Sequence, residues 1–150
     1  MFFDEEYIAA RRVLELANLL ISTRNKDIKK LDMTTDQADA LIFFNDFPKS
    51  SISDLKDFQH IKHQSAQKIT QHLAEKGLIT LATNTADRRA KIVVLTHSGH
   101  LMREKIKNNG SHTGQRLLNN FSVTQKKEFL RLIEKSINNM RGEKDETKIL

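Results

Sequence analysis

The stretch SDLKDFQHIKHQSAQKITQHLAEKGLITLATNTADRRAKIVVLTHSG, residues 53–99, changes its hydrophobic period at one point. Before Gly77 the apolar residues are spaced for helices: Leu55 and Phe58 in a short segment that Ser51 or Ser53 can cap, then Ile69 and Leu73, four apart, in a segment from about Gln64 to Lys76. Gly77 stops the second helix, because a chain leaves a helix most easily through a residue free to take positive φ. Beyond it, Leu78-Ile79-Thr80-Leu81 and Ile92-Val93-Val94-Leu95 are apolar and β-branched, and Asn84-Thr85-Ala86-Asp87 between them suits a turn. A small hairpin follows from that pattern.

Working outward, long helices flank this stretch. From about Asp4 to Lys30, Ala10, Val13, Leu14, Ala17, Leu20 and Ile21 recur at helical spacing, and Leu16 and Leu19 widen the stripe beyond one face. Thr34 or Thr35 can cap a shorter helix with Ala38, Leu41, Ile42 and Phe44, which Asp46-Phe47-Pro48 ends. Thr96 caps another long helix, and from Phe121 a last one places Phe129, Leu130, Ile133, Ile137 and Met140 on one face. Residues 108–114, Asn-Asn-Gly-Ser-His-Thr-Gly, have poor helix propensity and leave a kink and a break both open. The fold class is therefore predominantly α with a small β-hairpin. Helix, short helix, turn, helix and hairpin together are the plan of a winged helix-turn-helix, flanked here by long helices, in which the second helix of the motif enters the major groove of DNA.

Composition bounds the rest. At 150 residues the chain suits one domain, spanning 1–150. No apolar run approaches the roughly 20 residues of a membrane span. Asp4, Glu5 and Glu6 stand where a signal peptide would be basic, so a cytoplasmic location is expected. The absence of cysteine excludes disulfides and thiolate chemistry. The net charge of +6 favours polyanionic partners, and residues 60–91 hold six basic side chains (Lys62, Lys68, Lys76, Arg88, Arg89 and Lys91) against Glu75 and Asp87. There is no glycine-rich phosphate loop and no local Ser, His and carboxylate arrangement, so an enzyme is not expected.

The stretch from Ser53 to Gly99 resembles the MarR family of winged helix-turn-helix transcriptional regulators. Asp54-Leu55 opens the first helix of the motif, Leu73-Ala74-Glu75-Lys76-Gly77-Leu78-Ile79 closes the second, Asp87-Arg88-Arg89-Ala90 matches the wing signature, and Leu95-Thr96-His97-Ser98-Gly99 matches Leu-Thr-x-x-Gly. The resemblance implies a winged part at about 34–95, dimerisation helices at about 4–30 and 96–141, and a homodimer that binds a near-palindromic double-stranded operator as a repressor. The stretch 142–150 is expected to be an unstructured tail, because it is dense in mixed charge. By position, Lys62, His63, Gln64, Ser65, Gln67 and Lys68 face DNA from the recognition helix. The resemblance places Arg89 at or in the minor groove, gives Asp87 and Arg88 the holding of the wing and contact with phosphate, and Lys91 is counted with them among the DNA-binding residues. The chemistry agrees: Gln can bond an adenine edge, Lys a guanine edge or a phosphate, and Arg is favoured where a narrow minor groove concentrates negative potential.

This sequence departs from the family pattern at Leu81 and Ala82, where basic residues are common, and at Lys56, Gln59 and His60, which replace a usual Ala, Leu and Gly. The resemblance also implies a small aromatic or anionic effector in a cleft, for which Phe43 and Phe47 are the candidates, although aromatic stripes of this spacing also simply fill cores. His60 and His63, and His97 and His100, are three apart, but no third ligand stands near either pair, so no metal and no cofactor is expected. Two alternative readings share the fold: a protein-interaction module, which would not need the basic recognition helix and wing, and a metal-responsive regulator.

Overall fold

The computed structural model describes residues 4–87 and 89–149, with 143–149 as backbone alone. Its elements run α1 (Glu5–Lys29), α2 (Thr35–Asp46), α3 (Ile52–Gln59), α4 (His63–Glu75), β1 (Ile79–Thr83), β2 (Lys91–Leu95), α5 (His97–Leu117) and α6 (Val123–Ile149). Caps fix where several of them start. Thr34, rather than Thr35, accepts from the Gln37 N–H at 3.1 Å while the Gln37 side chain accepts from the Thr34 N–H at 3.3 Å. Ser51, rather than Ser53, forms the same reciprocal box with Asp54, at 3.2 and 2.8 Å. Each box satisfies donors that a helix end leaves open, and a cap of this kind is worth about 1 kcal/mol.

By contacts the backbone falls into two compact units, Met1–Thr113 and Gly114–Leu150. In the first, the largest fully buried side chains are Leu41 of α2, Leu55 of α3, Leu73 of α4 and Val93 of β2, each stabilising the fold by roughly 1.5–3 kcal/mol. The hairpin is antiparallel with Ile79 opposite Leu95 and Thr83 opposite Lys91. Its inner edge is tied to the start of α3, since the Val93 N–H donates to the Ser50 carbonyl at 2.9 Å. The Arg24 guanidinium on α1 grips the Asp39 carboxylate on α2.

The end of α4 and the start of α5 are locked together by the residues of the Leu-Thr-x-x-Gly run. Gly77, at φ 73°, closes α4 as the Leu78 N–H reaches back to the Leu73 carbonyl at 3.0 Å and the Gly77 N–H to that of Ala74 at 2.9 Å. Thr96 then works twice: its hydroxyl donates to the Gly77 carbonyl at 2.6 Å and accepts from the Gly99 N–H at 3.0 Å. Gly99 is buried against the Leu78 carbonyl, leaving no room for a side chain.

Residues 108–114 neither break nor interrupt α5, which is helical throughout. Asn109 anchors this weak stretch by donating to the Asp27 carbonyl at 3.4 Å, and the Thr113 hydroxyl returns to the Asn109 carbonyl at 3.1 Å. Tertiary ties outweigh propensity here.

In the second unit Ser122 and Gln125 form a further capping box, at 3.1 and 2.9 Å, and the rings of Phe121 and Phe129 meet edge to face at 5.5 Å. Arg131 holds Glu128 through two bonds of 2.6 and 2.9 Å, lowering the carboxyl pKa and raising that of the guanidinium. Helix α6 runs from Val123 to Ile149, across most of the stretch expected to form a tail. Mixed charge there comes from Glu143, Lys144, Asp145, Glu146 and Lys148, of which all but the aspartate are good helix formers, with no Pro to stop the helix. No helix among the described residues is long and apolar enough to cross a membrane.

Candidate nucleic-acid interface

Helix α4 has two chemically different faces. Ala66, Thr70 and Leu73 are buried against α2, α3 and β1, with Ile69 half-buried beside them. The buried Thr70 hydroxyl is satisfied within the helix, donating to the Ala66 carbonyl at 2.7 Å. Gln64, Ser65, Gln67 and Lys68 are all exposed, as are Lys62 and His63 at the helix start. Packing therefore fixes the helix through one face and leaves donors and acceptors free on the other.

The start of α4 differs from those of the three helices before it. Helices α1, α2 and α3 carry acidic residues in their first turns and receive a side-chain cap from Asp4, Thr34 and Ser51. Helix α4 has no acidic residue in its first turn, and its N-cap, Lys62, makes no capping bond. An ammonium cannot accept a hydrogen bond, and a cation at the positive end of a helix opposes the macrodipole. The arrangement costs helix stability and favours an anion beside the free N–H groups.

The hairpin tip is organised by two short side chains. Asn84 Oδ1 accepts from the Ala86 N–H at 2.9 Å, and Asp87 Oδ1 accepts from the Arg89 N–H at 3.0 Å. The Ala90 N–H closes onto the Asp87 carbonyl at 3.1 Å, and the Asn84 N–H onto that of Ala90, also at 3.1 Å. Asp87 thus ties together its own turn, and the Arg89 side chain is exposed with no ion pair to an acid among the described residues. Lys91 is exposed opposite Thr83, in the strand pair next to the hairpin turn. Arg88 lies outside the described residues.

Residues 31–90, from the end of the first helix to the wing, match the sequence profile of the MarR family. Over that segment the chain resembles the MarR family. No curated protein is significantly similar to the chain in sequence. Among solved structures, wild-type MarR from E. coli in its apo form superposes with a TM-score of 0.76 at 19% identity, covering 91% of this chain and 98% of the other. A MarR transcriptional regulator from Methanosarcina mazei Go1 gives 0.75 at 21% identity, covering 92% and 99%. A point mutant of S. aureus MepR, bound to an oligodeoxyribonucleotide, gives 0.64 at 17% identity, covering 93% and 99%. The winged helix-turn-helix flanked by long helices is the fold these structures share with the chain.

Two features of this segment are not visible in its motifs. Lys76, counted above among the basic residues, is exposed at the foot of α4 but donates to the Asp32 carbonyl and, at 3.2 Å, to Gln37 Oε1. It staples α4 to the start of α2 and is spent on structure. Phe58, which shares the apolar spacing of α3 with Leu55, is not buried with it but 55% exposed, its ring stacked 4.7 Å from Phe43. Phe43 is buried and Phe47 exposed, their rings 5.2 Å apart. All three border a cleft of about 470 Å³ between α2 and α3. Phe43 accordingly fills core and lines a cavity at once. Among the described residues no group of three or more His, Asp or Glu side chains is placed to hold a metal.

Proposed function

We propose that the protein is a sequence-specific DNA-binding transcriptional regulator, acting in the cytoplasm as a ligand-responsive homodimeric repressor. The observation that carries the DNA-binding part is α4 itself: an uncapped helix start bearing Lys62 and His63, followed by an exposed face of Gln64, Ser65, Gln67 and Lys68 on a packed scaffold. In this reading Gln64 and Gln67 meet base edges, Lys62 and His63 meet phosphate near the helix start, and Lys68 meets either. Arg89, together with Arg88 and Lys91, serves the adjacent minor groove and backbone. The oligodeoxyribonucleotide bound by the S. aureus MepR variant supports the reading by likeness of fold.

The homodimer rests on unspent apolar surface. On α1, Val13, Leu19 and Ile21 are 64, 61 and 55% exposed, and on α6, Leu130 and Met140 are 60 and 67% exposed. Faces of this kind mark association surfaces in a polar protein. A protein-binding module of the same fold would make no use of the cationic α4 start. Titrating labelled random duplex at two salt concentrations separates the two readings. A DNA-binding protein shifts the duplex at low salt and loses affinity steeply at high salt, whereas absence of binding at both concentrations sinks the proposal.

A further inference from the structure

We infer that the cleft between α2 and α3 is a site for an aromatic organic cation, a flat ring carrying a protonated amine or amidine. This deepens the ligand-responsive part of the proposal above and rests on it only for its consequence on DNA. The cavity, about 470 Å³, is of a size that suits a small ligand. Its apolar wall is aromatic: Phe43 stacks on Phe58 at 4.7 Å, with Phe47 at 5.2 Å from Phe43 and 6.2 Å from Phe58. Such rings offer stacking surface and negative faces to a cation.

The polar wall selects charge. Asp36, Asp39 and Asp46 line the cleft from α2, and Gln59 lines it from α3. Arg24 grips Asp39 and Arg103 approaches Asp46 at 3.8 Å, neither arginine lining the cleft, while Asp36 has no cationic partner among the described residues. The Gln59 amide nitrogen is directed to the Asp36 carbonyl at 3.4 Å, leaving Gln59 Oε1 buried without a hydrogen-bond donor among the described residues. Buried acceptors left open are uncommon and mark places where an outside group belongs. The wall thus offers two unspent acceptors, the Asp36 carboxylate and Gln59 Oε1, beside the one remaining N–H of the Gln59 amide. A ligand that supplies N–H donors and positive charge satisfies both, and a carboxylate or phenolate ligand satisfies neither. This narrows the expected aromatic or anionic effector to a cation. Gln59 stands where the family pattern has Leu, so the open acceptor belongs to this chain's own sequence. The cleft also reaches Ile61, immediately before the N-cap of α4, so an occupant touches the turn that positions the recognition helix.

Three indole probes test the site on the full chain: tryptamine as cation, indole-3-acetate as anion and tryptophol as neutral analogue. The protein has no Trp and one Tyr, so indole fluorescence anisotropy reports the probe. Tryptamine should bind at least tenfold more tightly than indole-3-acetate. Asp36→Asn and Gln59→Leu should each weaken tryptamine at least threefold while leaving tryptophol nearly unchanged, and Phe58→Ala should weaken both, each variant being checked for wild-type circular dichroism. Equal affinity for cation and anion, no binding of tryptamine, or tryptamine binding untouched by Asp36→Asn and Gln59→Leu would overturn the inference. A duplex titration on the same preparation separates the two claims. Duplex bound without tryptamine removes only the cation site, and tryptamine bound without duplex removes only the regulator.

Discussion

A Cβ placed on residue 99 would lie 2.0 Å from the Leu78 carbonyl oxygen and 3.3 Å from the Leu95 Cβ, so the nearest obstacle is backbone and cannot swing aside. Gly99→Ala should therefore destabilise the protein by about 1–3 kcal/mol, as overpacking does, read as a lower urea midpoint with unchanged slope. An unchanged midpoint would mean that α5 does not press on Leu78. Arg89 is the opposite case, since its side chain is exposed and only its backbone N–H takes part in the turn, through Asp87. Arg89→Ala should leave the urea midpoint within about 0.5 kcal/mol of wild type while weakening operator binding and the preference for A·T-rich flanks. Lys68→Ala separates two contacts: relaxed discrimination at one base pair if the ammonium meets a guanine edge, or uniform weakening with the salt slope reduced by about one unit if it meets phosphate. Gel-shift titrations of both variants on A·T-rich and G·C-flanked probes read all of this. An Arg89→Ala protein that binds every probe like wild type would remove the wing from the interface.

Among the elements, α5 shows where local sequence stops being informative. Its stretch from Asn108 to Gly114 is helical although its residues disfavour helix, and position 110 has nothing within 4 Å of a built Cβ. Gly110→Ala should thus stabilise the protein by about 0.5–1 kcal/mol, raising the thermal midpoint, and a loss of stability would indicate a kink after all. The tie that holds the stretch, Asn109 to the Asp27 carbonyl, joins residues 82 positions apart, which no propensity can register. Signals confined to a few residues were legible: the caps of α2 and α3 to within two candidates each, the Gly77 stop, the period change into the hairpin, and Leu73 on the buried face of α4. Signals created by packing were not. Lys76 reads as one more cation of a basic stretch until its ammonium is found on Asp32 and Gln37, and Phe58 reads as a partner of Leu55 until α3 is seen to turn it toward Phe43. The acidic rim of the cleft escaped for the same reason. Asp36, Asp39 and Asp46 look like ordinary solvent-facing helix residues, and only the approach of α3 makes them one wall. For α6 the limit was different, because mixed charge is shared by disordered tails and by exposed helices, and the backbone is helical to Ile149.

At the scale of the whole molecule, the account requires two copies. The exposed apolar residues of α1 and α6 predict that sedimentation at micromolar concentration gives twice the 17.3 kDa chain mass, and a monomer there would argue decisively against the dimer. Replacing Leu19 and Met140 with Glu should shift the protein toward monomer without loss of helical circular dichroism, because both side chains are more than half exposed. Two recognition helices related by a two-fold axis must meet successive major grooves on one side of the duplex, about 10 base pairs apart. The most direct test of the central claim is therefore selection of bound duplexes from a random pool by the wild-type protein. The account predicts a near-palindromic motif with half-sites about one helical turn apart. A pool that yields no enriched sequence after repeated rounds, or retains duplex no better than a protein-free control, would contradict it.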